Sequence, residues 1–120
     1  MKTILVIDDM CCSMLFLSQS LKRAGFKVLI AQSGKEGIKI AEKNLPNLIL
    51  LDIMMPIMDG FEVCKHLKSQ EKAKHIPIIF LTALCEESDK TKGFELGAVE
   101  YIIRPYLYEE LIISINRHLS

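Results

Sequence analysis

The chain has 120 residues, half of them hydrophobic, with fifteen acidic and fifteen basic side chains. That length suits one compact domain over residues 1–120, and the even charge balance argues against direct nucleic-acid binding or attachment to an anionic membrane surface. No apolar run approaches the roughly 20 residues of a membrane-spanning helix, and MKTILVIDD meets acids too soon for a signal peptide, so a cytoplasmic location is expected.

In chain order, the first apolar run is Ile4 to Ile7, which ends on Asp8 and Asp9. A helix is predicted over Met10 to Ala24, with Leu15, Leu17, Leu21 and Ala24 as its apolar face and Gly25 as its stop. A second run, Val28 to Ala31, precedes Ser33, which can cap a helix over Lys35 to Lys43; Glu36 stands at the capping-box position, and Pro46 ends the segment. The third run, Leu48 to Leu51, ends on Asp52. Asp59 and Gly60 then open a helix over Phe61 to Lys68.

The fourth run, Ile76 to Leu81, leads into Thr82, and a helix over Glu86 to Leu96 closes at Gly97. The fifth, Val99 to Ile103, ends on Arg104, and the last helix covers Tyr108 to Leu119. Its Ile112, Ile113 and Ile115 are expected in the core in part; any left exposed would favour partner docking or a homodimer. Lys22, Lys65, Lys68, Lys72 and Lys74 read as solvated faces, and His66, His75 and His118 as surface side chains without ligand spacing. Cys11, Cys12, Cys64 and Cys85 form no CxxC or zinc spacing and read as reduced thiols.

Short, nearly continuous apolar runs suit strands covered on both faces, and strict alternation with helices predicts a parallel sheet with right-handed crossovers. The strand tails then carry Asp8, Asp9, Asp52, Thr82 and Arg104 to one sheet edge, where open α/β sheets bind ligands. Three carboxylates held together repel one another, and a hard divalent cation would relieve that; Mg²⁺, which keeps several waters, suits an open site. Taken singly, Asp8 or Asp9 also reads as a simple cap for the following helix.

Four segments, ILVIDD at Ile4 to Asp9, LILLDIMMPIMDG at Leu48 to Gly60, IIFLTA at Ile78 to Ala83 and GAVEYIIRPY at Gly97 to Tyr106, give the chain a close resemblance to the receiver domain of two-component response regulators. The resemblance implies a flavodoxin-like, doubly wound five-stranded parallel sheet of order 2-1-3-4-5 with five helices on two faces. It implies that Asp52 is the phosphoacceptor, taking a phosphoryl group from a histidine kinase or a histidine phosphotransfer protein. Asp9, Asp52 and the Met54 backbone carbonyl would bind Mg²⁺, with Asp8 acting largely through a water. Thr82 would hydrogen-bond the phosphoryl group and Tyr101 would turn from exposed to buried. The face of the fourth helix, fifth strand and fifth helix would then meet a downstream effector or form a weak homodimer. Pro56 and Gly60 would shape the loop after Asp52, and the Arg104–Pro105 bond would be cis.

One position departs from the pattern: where the family ordinarily has lysine, this chain has Arg104. Its planar fork can bind the phosphoryl group, pair with Asp52 or Asp8 at rest, or swing outward. The apolar Met54 and Leu84 would shield an aspartyl phosphate from water. Cys11, Cys12 and Cys85 lie close enough in sequence to the site for thiol modification to disturb it.

Two other chemistries fit less well. A phosphohydrolase built on an aspartyl phosphate usually needs a second acid two residues after its nucleophile, and that residue is Met54, so a turnover enzyme is not expected. A flavin binder would lead from its first strand into hydroxyl and glycine donors rather than Asp8 and Asp9. The remaining alternative is an interaction module that escapes phosphorylation control because Arg104 stays paired to the acids.

Overall fold

The structure, a computed structural model, describes residues 1–119 apart from the side chains of Cys11 and Ser13. Strands β1 (Thr3–Ile7), β2 (Lys27–Ala31), β3 (Leu48–Leu51), β4 (Ile78–Thr82) and β5 (Glu100–Ile103) alternate with helices α1 (Cys11–Arg23), α2 (Gly34–Asn44), α3 (Gly60–Lys68), α4 (Glu87–Glu95) and α5 (Tyr108–His118). The strands form one parallel sheet in the order β2-β1-β3-β4-β5. This is the expected doubly wound architecture, with helices on both faces.

Side-chain alternation along the strands divides the core in two. Leu5, Ile7, Ile49, Leu51, Ile78 and Phe80 pack on the side that holds Ile38 and Ala41 of α2 and Val63 and Leu67 of α3. Ile4, Val6, Leu48, Leu50, Ile79 and Leu81 face Met14, Leu17 and Leu21 of α1 and Leu111 and Ile115 of α5. Each fully buried Leu or Ile is worth about 1.5–3 kcal/mol by area, so the central strands anchor the fold.

Several local expectations need correction. The buried face of α1 is Met14, Leu17, Ser18 and Leu21, whereas Leu15 and Ala24 face solvent. Gly25 does stop the helix, at φ +98°. Ser33 caps α2 by accepting from the Glu36 N–H at 3.2 Å, but the Glu36 carboxylate reaches back to the Gln32 N–H at 2.7 Å rather than to Ser33. The full reciprocal box occurs instead at α3, between Asp59 and Glu62.

β4 starts at Ile78 rather than Ile76, because the intervening Pro77 has no N–H for the ladder. Lys68 is no free surface charge: its Nζ donates to the carbonyls of Lys74 at 3.1 Å and Ile76 at 2.9 Å, pinning the turn before β4. His118 is half-buried against Glu100, with Nε2 3.2 Å from its carboxylate. In the last helix Ile115 is buried, Ile112 partly so, and Ile113 exposed.

Candidate functional site

Strand register builds the site. Ile7 pairs with Leu51, so Asp8 and Asp52 leave adjacent strands side by side; Thr82 pairs with Ile103, so Arg104 follows next to it. Backbone bonds carry each ladder one residue further: Asp8 N–H donates to the Ala31 carbonyl, Asp52 N–H to Ile7, and Arg104 N–H to Thr82, at 3.1, 3.0 and 2.8 Å. The functional side chains therefore start from backbone as fixed as the sheet itself.

Asp8, Asp9 and Asp52 each offer a carboxylate oxygen, and these three atoms lie within 4.8 Å of one another. Asp8 and Asp52 are buried. Asp8 Oδ1 accepts from the Met10 N–H at 2.9 Å, an Asx-type turn just before α1, and Asp52 Oδ1 accepts from the Met54 N–H at 3.2 Å. At the start of α1, Met10 is the N-cap residue and its side chain makes no capping bond.

Arg104 closes the cluster from the far side. Its Nη2 donates to Asp8 Oδ2 at 2.8 Å, and its Nη1 lies 3.5 Å from Asp52 Oδ2. Of the three placements open to this side chain, the structure has the pair with both acids. The Arg104–Pro105 bond is cis.

Burial pushes the Asp52 carboxyl above its ordinary range. The Met54 N–H draws it back, the Asp8 charge raises it, and Arg104 and a hydrogen bond from Thr82 lower it. Three acids together with one guanidinium thus form a site poised for further positive charge. Their all-oxygen donor set suits a hard cation such as Mg²⁺.

The loop after Asp52 is held by the Gly60 N–H, which donates to the Ile53 carbonyl at 2.9 Å. A Cβ at Gly60 would collide with the Asp52 carbonyl and the Ile53 Cα, so only glycine permits this approach. Pro56 is exposed on the loop, as is Pro105 after Arg104, and the Met54 side chain is also exposed. Thr82 is fully buried, and its Oγ1 accepts from the Leu84 N–H at 3.4 Å. Tyr101 lies inside, its hydroxyl donating to the Leu84 carbonyl at 2.8 Å and its ring tilted against Phe80. Cys12 and Cys85 are exposed thiols, and the expectation for Cys11 lies outside the described residues.

Beside Arg104 the structure has a groove of about 550 Å³ that the sequence did not disclose. Phe16, Leu17, Ser20, Tyr106 and Tyr108 line it together with Arg104. The Tyr108 hydroxyl donates to the Ser20 carbonyl at 3.0 Å, tying the start of α5 to α1. The available signal was Phe16, an aromatic on the polar side of α1, set against the aromatic pair that follows Pro105.

A parallel 2-1-3-4-5 sheet with an acidic triad, a hydroxyl and a cation at its strand tails is the architecture of a receiver. The family model described as the response regulator receiver domain matches residues 4–116, and the chain belongs to that family. Receiver domains of two-component signalling are in general regulatory phosphoacceptors that bind Mg²⁺ through clustered acids, of which Asp8, Asp9 and Asp52 are an instance.

Among curated proteins, the chain is 44% identical over 110 residues to the alkaline phosphatase synthesis transcriptional regulatory protein PhoP of Bacillus subtilis (strain 168). That match covers 92% of this chain and 45% of the relative. It is 39% identical over 118 residues to a probable cyclic di-GMP phosphodiesterase of Vibrio cholerae, covering 98% of this chain and 26% of that protein. The chain thus spans less than half the length of either. Among solved structures, the Vibrio cholerae chemotaxis protein CheY4 superposes with a TM-score of 0.93 at 32% identity, over 99% of both chains. No described helix is long and apolar enough to cross a membrane.

Proposed function

We propose that this chain is a phosphorylation-controlled switch in which Asp52 accepts a phosphoryl group from a phosphohistidine on a histidine kinase or phosphotransfer protein. The observation that carries this reading is the convergence of Asp8, Asp9 and Asp52 oxygens within 4.8 Å of one another at the strand tails. Asp9, Asp52 and the Met54 carbonyl would hold Mg²⁺, with Asp8 acting through a water. Bound there, the ion neutralises charge on the nucleophile and on the phosphoryl oxygens.

An Asp52 carboxylate oxygen forms the new O–P bond while the P–N bond breaks, and the imidazole leaves with the electron pair and takes up a proton. The Asp52 N–H bond to the Ile7 carbonyl fixes the backbone that carries this oxygen. Thr82 hydrogen-bonds the transferred group, which draws its loop inward. Because Leu84 on that loop accepts the Tyr101 hydroxyl, the motion reaches the face of α4, β5 and α5. An effector protein or domain reads that face. Met54 has no proton to give or take two residues after the acceptor, so the chain assists its own transfer and dephosphorylation without being a turnover enzyme.

Intact mass after incubation with acetyl phosphate tests the proposal. A phosphate-sized gain that needs both Mg²⁺ and Asp52, and is absent in Asp52→Ala, is expected. No gain, with a cognate kinase also failing, would favour the second reading, an interaction module free of phosphorylation control. The observation on the side of that reading is that Arg104 is paired with both Asp8 and Asp52.

A further inference from the structure

We infer that Arg104 is a resident counter-ion that competes with the divalent cation for Asp8 and Asp52, so that metal binding requires its guanidinium to move out toward the neighbouring groove. This rests on the reading of the acidic cluster as a Mg²⁺ site.

Each of the two buried acids accepts a backbone N–H on one oxygen and faces Arg104 with the other, and Thr82 adds a side-chain hydrogen bond to Asp52. Oδ1 of Asp8 and Oδ1 of Asp52 accept backbone N–H groups, from Met10 and Met54. Oδ2 of Asp8 and Oδ2 of Asp52 face the two terminal nitrogens of the Arg104 fork. The backbone donors are fixed by the turns after β1 and β3, whereas the guanidinium stands at the end of a flexible side chain on a fixed backbone. A cation seeking an oxygen from either acid therefore meets one mobile positive competitor.

The fork gives this competition a particular form. Its two nitrogens address two carboxylates from one rigid plane, where a lysine ammonium is a single point charge on a flexible stem. With a side-chain exposure of 25%, Arg104 lies at the mouth of the site, while Asp8 and Asp52 are nearly fully enclosed. The guanidinium can withdraw without repacking the core.

The groove provides a destination. Arg104 already forms part of its wall with Phe16, Tyr106 and Tyr108. Burial pushes the Tyr106 hydroxyl above its ordinary range, and the Arg104 charge draws it back. An aromatic-lined groove open to water accepts a guanidinium by stacking while leaving it hydrated.

The test uses the whole chain, unphosphorylated, in a magnesium titration read two ways. The sequence has three arginines, Arg23, Arg104 and Arg117, so ¹⁵N-arginine labelling gives three side-chain Nε–H signals. The Arg104 signal is expected to shift with saturation while Arg23 and Arg117 stay still. Calorimetry with MgCl₂ is expected to show Arg104→Gln binding about tenfold or more tighter than the natural chain, the scale of removing one positive charge at contact range, with Arg104→Lys in between.

Magnesium binding with an unmoved Arg104 signal and equal affinities in all three proteins would overturn the competition and leave the metal site standing. Absence of binding in all three would overturn the metal site as well. Binding only by the substituted chains would be the competition in its strongest form. Should Arg104→Gln fail to fold, Arg104→Lys and the natural chain's titration decide the matter.

Discussion

The Tyr101 hydroxyl donates to the Leu84 carbonyl at 2.8 Å, joining β5 to the loop that leaves β4 just after Thr82. The bond holds the ring inward, against Phe80 and beneath α4, where Gly93 leaves room for both rings. Removing the hydroxyl leaves the Leu84 carbonyl without this donor. Tyr101→Phe is expected to cost about 1 kcal/mol, a fall in Tm of roughly 4 °C for a domain of this size, read by thermal denaturation. No change in Tm would mean that ring packing alone holds Tyr101.

Asp52 carries a charge that burial disfavours, and the neighbouring Asp8 charge adds to the penalty. Asp52→Asn keeps an oxygen for the Met54 N–H and removes that charge. Without Mg²⁺ the variant is expected to be about 1 kcal/mol more stable than the natural chain in urea, while gaining no phosphate from acetyl phosphate. A destabilised variant would show that the Arg104 contact outweighs the burial penalty.

Thr82→Ala separates acceptance from transmission. The acids themselves are unchanged and Asp52 loses only the Thr82 hydrogen bond, so the phosphate-sized mass gain is expected to persist. Protection changes over the face of α4, β5 and α5, measured by amide hydrogen exchange with and without phosphorylation, are expected to shrink severalfold. Equal changes in both proteins would remove Thr82 from the route.

Ile57 stands fully exposed with φ +70°, a backbone region that a β-branched residue adopts only under strain. Since its side chain buries nothing, Ile57→Gly is expected to gain about 1 kcal/mol, seen as a higher denaturant midpoint at unchanged slope. A loss of stability would show that the loop draws rigidity from the isoleucine.

Burial pushes the Cys64 thiol from its ordinary 9.0 up to about 11, and its Sγ–H donates to the Leu96 carbonyl at 3.6 Å. The unfolded thiol loses its proton above pH 9, the folded one only near 11, so the native state binds more protons in that window. Stability should fall by roughly 1–3 kcal/mol as pH rises from 9 to 11 on account of this group. Lys68 works the other way, since burial lowers its ammonium and favours folding as pH approaches its ordinary 10.5. Cys64→Ala should flatten the alkaline decline, whatever its stability at pH 7. At neutral pH, iodoacetamide should label Cys12 and Cys85 but spare Cys64, as peptide masses would report.

The sheet and its strand tails were legible because parallel strands buried on both faces leave continuous apolar runs, and four of the five runs led into an acid, a hydroxyl or a cation. Helix faces were less so. Leu15 and Met14 are equally apolar, and only the angle at which α1 lies on β1 and β3 decides that Met14 goes inward. Lys68 looked like any surface lysine until the turn before β4 brought two carbonyls within its reach. At the site, residue types and spacing gave the acids, the hydroxyl and the cation. Which oxygen Arg104 would take depended on distances between strands far apart in the chain. Ile57 was passed over because strain belongs to backbone angles, which composition does not reveal.

β5 is an edge strand, paired only with β4. Yet Arg104, at its tail, reaches Asp8 at the tail of β1, three inter-strand spacings of about 4.8 Å away across the sheet order. The side chain acts as a guy rope from the rim inward, strung over the two strands, β3 and β4, that lie between. When the rope slackens, a strand held on one side alone is the one freed to fray. In this way a charge exchanged at the centre of the molecule can be felt as looseness at its border.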